Sequence, residues 1–109
     1  MSTYSIINKD WSYENVKYLL EHIKKDTIDD IRVKKIKKST RAILDKCKTM
    51  GISKIVKPEH PWIFWDRWSD AYRVIIIDDK NAQILDKGTF KTLKDAETCI
   101  IEWKILWLT

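Results

Sequence analysis

Apolar residues along this chain recur first at helical spacing and then at strand spacing. Tyr13, Val16, Leu19, Leu20 and Ile23 follow one helix face, which predicts a helix over 13–25. Ser12 precedes it as an N-cap, Glu14 sits near its start and Lys24-Lys25 close it, each charge where the helix dipole favours it. Asp26-Thr27 interrupts the pattern. A second helical stretch then carries Val33, Ile36, Thr40, Ile43, Leu44, Cys47 and Met50 on one stripe, and Gly51 ends it as a C′ residue does. Lys34, Lys37, Lys38, Arg41 and Lys48 fall on the opposite side, so this stretch is apolar on one face and basic on the other. The same segment, Thr27 to Ile52, has a faint helix-turn-helix look, with Ser39-Thr40-Arg41 where a recognition helix would begin. Two features oppose that reading: the stripe stays in phase from Val33 to Met50, and no Gly marks a turn.

After a connection over 51–61, closed by Pro58 and Pro61, the pattern changes. Trp62 to Trp65, Tyr72 to Ile77 and Ile84 to Phe90 read as strands rich in aromatic and β-branched residues. Asp78-Asp79-Lys80-Asn81 is a turn signal, and Gly88 marks a bulge or bend. In 72–77, Tyr72, Val74 and Ile76 alternate with Arg73, Ile75 and Ile77. A strand apolar on both sides is a strand covered on both faces. Thr92 caps a last helix over 92–106, with Asp95 in capping-box position. Leu93, Ala96, Cys99, Ile100, Trp103, Leu106 and Trp107 share one face of it, and Ile101, Ile105 and Leu108 form a second patch. That patch implies a homodimer contact or cover from the N-terminal helices.

The expected fold is therefore α+β: N-terminal helices plus a three-stranded antiparallel sheet packed on a C-terminal helix. The 109 residues fit one domain, with a basic helical half over 12–51 and a sheet-plus-helix half over 62–108. The expected layers are N-terminal helices, sheet and C-terminal helix. Phe90, Ala96 and Trp103 are expected to be buried together.

Residues 62–103 resemble a known module. Ile63-Phe64-Trp65-Asp66-Arg67, a turn, and Tyr72-Arg73-Val74-Ile75-Ile76 resemble the first two strands of the APETALA-type (ethylene-response-factor) DNA-binding domain. Gly88-Thr89-Phe90-Lys91-Thr92-Leu93-Lys94-Asp95-Ala96-Glu97 resembles its glycine–phenylalanine–helix signature. Relatives of that module occur in phage homing endonucleases, tyrosine integrases and small archaeal proteins. The resemblance implies a three-stranded sheet on one helix, with the open sheet face reading the major groove. Position by position, it implies that Trp65, Arg67 and Arg73 face DNA. The sequence departs from the family at Ile75 and Ile77, where polar residues are usual, and at Asp86, where an aromatic is usual.

Charge sharpens the functional reading. Residues 26–57 hold ten Lys or Arg against four acids, whereas 58–109 hold seven against nine. Attraction to a polyanion thus belongs to the middle segment, through Lys34, Lys37, Lys38, Arg41 and Lys48. An ordinary solvated helix face accounts for the same stripe equally well. Six Trp are also a heavy load for 109 residues. Trp103 and Trp107 read as core, Trp65 and Trp68 as exposed. His22, His60, Cys47 and Cys99 lack metal-ligand spacing, and no phosphate loop or nucleophile–base arrangement is present. No cofactor, metal or enzymatic activity is expected. Two isolated cysteines, together with a start that lacks an apolar leader, point to a cytoplasmic protein, and no segment is long and apolar enough for a membrane. Two functions remain: a small non-catalytic DNA-binding protein, such as a regulator or mobile-element accessory factor acting on duplex DNA, or a protein-binding module, such as a viral or mobile-element inhibitor of a host protein.

Overall fold

Each of the first three helices starts where a hydroxyl side chain caps it. The computed structural model describes residues 6–54 and 59–108, and of 107 and 108 the backbone alone. Helix α1 is Tyr13–His22, α2 Ile28–Lys34 and α3 Thr40–Met50. Ser12, Thr27 and Ser39 accept the backbone N–H groups of Asn15, Asp30 and Ala42 at 3.1–3.2 Å, which satisfies donors that have no partner inside the helix. At the far end of α3, Gly51 takes φ +71°. Its N–H and that of Ile52 turn back to the carbonyls of Lys48 and Cys47, a closure that needs a left-handed residue.

The continuous helix expected from Val33 to Met50 is in fact two helices. Lys35 leaves helical geometry at φ −139°, Ile36 is fully buried and Ser39 restarts the chain as a new cap. The ammonium of Lys37 donates to the Val33 carbonyl at 3.0 Å, closing α2 without a glycine. Ile36, Ile43, Cys47 and Met50 stay on the core side of the break, so the sequence shows no slip in phase. Val33 is 62 % exposed and Leu44 is 50 % exposed; neither belongs to the buried stripe. Lys34, Lys37, Lys38 and Arg41 consequently do not share two turns of one helix. They run from the end of α2 through the turn into α3.

Strands β1 (Ile63–Asp66), β2 (Ala71–Asp78) and β3 (Gln83–Phe90) form an antiparallel sheet in sequence order. Val74 pairs with Gly88 but Ile75 with Asp86, so Lys87 is the extra residue of a bulge. Gly88 takes φ +92° there, as a bulge glycine does. The turn after β2 is held by Asp78, whose carboxylate accepts the backbone and side-chain N–H of Asn81.

The sheet is the middle layer. On one face Ile63, Val74 and Ile76 pack with Ala96 and Ile100 of α4, Leu93–Leu108. On the other, Phe64, Ile75, Ile77 and Ile84 join Trp11, Val16, Leu19, Leu20, Ile31, Ile36, Ile43 and Met50 in one cluster. Full burial of each isoleucine is worth roughly 1.5–3 kcal/mol relative to exposure. Trp11, outside every periodic segment, is 7 % exposed and belongs to this core. Two polar clasps tie α1 to the sheet. Tyr13 donates its hydroxyl hydrogen bond to Asp79, and Lys17 pairs with the same carboxylate at 2.7 Å. Lys24 donates to the carbonyls of His60 and Ile63 and lies 4.7 Å from the centre of the Phe64 ring.

Thr92 caps α4 by accepting the N–H of Asp95. Ala96 is wholly buried, but Phe90 and Trp103 are only half-buried. Trp103 meets Trp62 edge-on at 5.8 Å. The apolar cluster beneath the helix ends near Trp103, so Leu106, expected on the buried face, is 74 % exposed. Ile101 and Ile105 are also more than half exposed. Pro58 and the side chains of Trp107 and Leu108 lie outside the described residues.

Two tests follow from these contacts. A Cβ at Gly51 would lie 2.5 Å from Asp66 Oδ2 and press on the Arg73 guanidinium, at a φ of +71°. Gly51→Ala should therefore lower stability by about 1–3 kcal/mol in chemical unfolding; an unchanged midpoint would contradict the packing described. Burial lowers the pKa of Lys24 from 10.5 to about 8. Between those values the unfolded chain binds more protons than the folded one, so this group makes stability rise with pH across that window. Thermal unfolding of the protein and of Lys24→Met from pH 7.5 to 10.5 should show a steeper rise when Lys24 is present, and equal slopes for the two would contradict it.

Candidate nucleic-acid interface

Cross-strand register decides which residues share a sheet face, because directly opposed residues point the same way. Trp65 opposes Tyr72, and the two rings meet edge-on at 5.2 Å. Tyr72 packs with the cluster under α4, so Trp65 lies on the α4 side. Arg73 opposes Phe64, whose ring is in the opposite cluster. Trp65 and Arg73 thus lie on opposite faces and do not form the shared outward surface that the resemblance implies.

Arg73 is also fully engaged. Its Nε and Nη2 donate to Asp66 Oδ2 at 3.1 and 2.9 Å, and its Nη1 donates to both oxygens of Asp86 at 3.0 and 2.9 Å. The Asp66 side chain is 2 % exposed and that of Arg73 19 %. Burial opposes the charge on Arg73, but its hydrogen bonds to Asp66 and the charge of Asp86 outweigh it and hold the guanidinium pKa above its ordinary value. The bulge that drops Lys87 out of register brings Asp86 opposite Ile75, within reach of Arg73. Asp86, the departure from the aromatic expected there, is thus a partner for Arg73. Asp66 also accepts the N–H groups of Trp68 and Ser69 through its other oxygen, fixing the turn that presents Arg67 and Trp68. Arg67 is exposed and stacks 5.7 Å over the Trp68 ring.

Lys34, Lys37, Arg41 and Lys48 are exposed. Lys38 is half-buried, with its ammonium 5.2 Å from the centre of the Trp11 ring, a cation–π contact. Lys46, which the basic stripe did not include, sits on the same ring at 5.6 Å and donates to the Ile6 carbonyl. Burial lowers its pKa. Arg41 and Asp45 are a loose, exposed pair at 3.9 Å.

One arrangement was not legible in the helical wheel. Arg32, Val33, Lys37, Lys38 and Ser39 line an open hollow of about 500 Å³ between α2 and α3. Ser39 is the N-cap of α3, and the first turn of α3 has no carboxylate. Three cations therefore surround the positive end of a helix, the setting that favours an anion. Arg32 is exposed and makes a loose 4.0 Å contact with exposed Asp29. It escaped the sequence reading because a continuous helix gave no reason to gather Arg32 with Lys37 and Lys38.

No protein-family model, curated protein or solved structure matches the chain. Among the described residues, no group of three or more His, Cys, Asp or Glu could hold a metal ion, and no helix is long and apolar enough to cross a membrane. Cys47 is buried, and that burial raises its thiol pKa to about 12, leaving it without nucleophilic character at neutral pH.

The ion-pair cluster yields its own test. Asp66→Ala leaves the half-buried Arg73 without its most buried partner and frees two turn N–H groups. The loss should be about 3–5 kcal/mol in chemical unfolding. A loss comparable to that of an exposed pair, below about 1 kcal/mol, would mean that the cluster is solvated.

Proposed function

We propose that this protein is a small non-catalytic DNA-binding protein that grips duplex DNA through α2, the turn and α3. The observation that carries the reading is the hollow at the start of α3, lined by Arg32, Lys37 and Lys38. A backbone phosphate seated there would meet three positive side chains and the N-terminus of a helix. In helix-turn-helix proteins the second helix enters the major groove by its N-terminal residues. The corresponding exposed residues here are Thr40, Arg41 and Leu44, with Lys48 further along. Lys34 flanks the turn, and Arg67 projects from the β1–β2 turn. Arg73 and Trp65 have no part in this version of the interface. The sheet face that the APETALA-type module would turn to DNA is packed beneath the N-terminal helices.

A second reading rests on Ile101, Ile105 and Leu106, which leave the end of α4 apolar and exposed. Such a patch suits a protein partner or a second copy of the chain.

Fluorescence anisotropy with random-sequence duplex DNA at two salt concentrations tests the first reading. Affinity should fall with salt, with a log–log slope of about −0.9 for each phosphate neutralised. Reversing Arg32 and Lys37 together should weaken binding to every sequence, because phosphate contacts carry no base information. Replacing Arg41 should change sequence preference, and replacing Arg73 with Gln should leave binding by the folded protein unchanged. Absence of binding by the unaltered protein at low salt would end the DNA reading and leave the α4 surface as the interface.

A further inference from the structure

A second cavity lies at the other end of α3. It measures about 340 Å³ and opens between α3, residues 52–54 and the turn that joins β1 to β2. Its size falls at the lower end of the range for small-molecule sites. Ile23 and Ile52 form a buried floor, and the neutral thiol of Cys47 adds to it. Leu44 and Trp68, about half exposed, stand at the mouth.

The polar groups are on the rim and are mostly positive. Lys48, Lys54 and Arg67 face one carboxylate, Asp45. Lys54 is held in place by the carbonyls of Ile23 and Asp26. Arg67 rests over the Trp68 ring, 5.7 Å from its centre, which keeps cation and aromatic surface side by side. Ser53 lines the wall, but its hydroxyl is taken by the Trp65 carbonyl at 2.8 Å. An apolar floor, an aromatic lip and a cationic rim select a molecule with a flat apolar body and an anionic head.

We propose that this cavity is a binding site for a small planar apolar anion, such as an aromatic carboxylate, with its ring between Leu44 and Trp68 and its charge toward Lys48 and Arg67. The cavity shares Leu44, Lys48 and Arg67 with the proposed DNA contact surface, but the binding of a small ligand is read without DNA, so either proposal can fail alone.

Amide NMR spectra of the full chain, titrated with naphthoate and separately with neutral naphthamide, test it. Saturable shifts should centre on residues 44–54 and 67–68, and the carboxylate should bind about tenfold tighter than the amide, the value of a charge-assisted contact. Lys48→Gln with Arg67→Gln should erase that preference. Leu44→Trp, a change at an exposed mouth position, should weaken both ligands while shifts elsewhere in the spectrum report an intact fold. Shifts that fail to saturate at millimolar ligand, equal affinity for the two probes, or a preference that survives the double substitution would each overturn the proposal. Tighter binding of a short peptide carrying Trp beside Asp would overturn it in favour of a protein partner.

Discussion

A strand with isoleucine on both faces has no side to turn to water. Val74 and Ile76 face α4, while Ile75 and Ile77 face the N-terminal helices, so β2 requires cover above and below. That requirement sets the rest of the architecture. It draws α1, α2 and α3 onto the sheet, and it makes the sheet an internal layer. The polar clasps at Asp79 and Lys24 lie at the margins of the same contact, where they orient α1 on a surface that the isoleucines already hold.

An internal sheet also changes what its charged residues do. Arg73 sits where the apolar layer meets the rim, and a lone guanidinium there would be desolvated without a partner. Asp66 and Asp86 supply two carboxylates, and Gly51 leaves the space in which the cluster fits. Positive charge that serves the fold in this way is unavailable to a ligand. Arg32, Lys34, Lys37, Arg41 and Lys48 remain exposed along α2, the turn and α3, and the proposed contacts with DNA move from the sheet to these helices.

Much of this was legible in the chain. Ser12, Gly51, Gly88 and Thr92 mark real caps and a real bulge, because each residue type answers a local backbone need. The two-sided apolar pattern of 72–77 implied three layers, because burial is a property of side chains. The break at 35–39 was not legible: Lys35 leaves the helix without a glycine, and Ile36 returns to the core in the same phase. The face of Trp65 and the partners of Arg73 were hidden for another reason. They depend on cross-strand register and on one residue slipped at Lys87, and neither is encoded locally. Trp11 was missed because a single aromatic outside a periodic segment gives no sign of where it packs.

The shared cluster also bears on how the chain is made. The helices emerge first from the ribosome, yet their apolar faces are completed by Phe64, Ile75, Ile77 and Ile84, which are synthesised afterwards. Until the third strand has appeared, Ile31, Ile36 and Ile43 have no sheet to lie against. The N-terminal helices therefore have no complete core without residues 63–84, and α4 covers the opposite face of the same sheet. Cutting the protein between its basic and acidic halves would divide one core, leaving neither fragment with the surface it was shaped to meet.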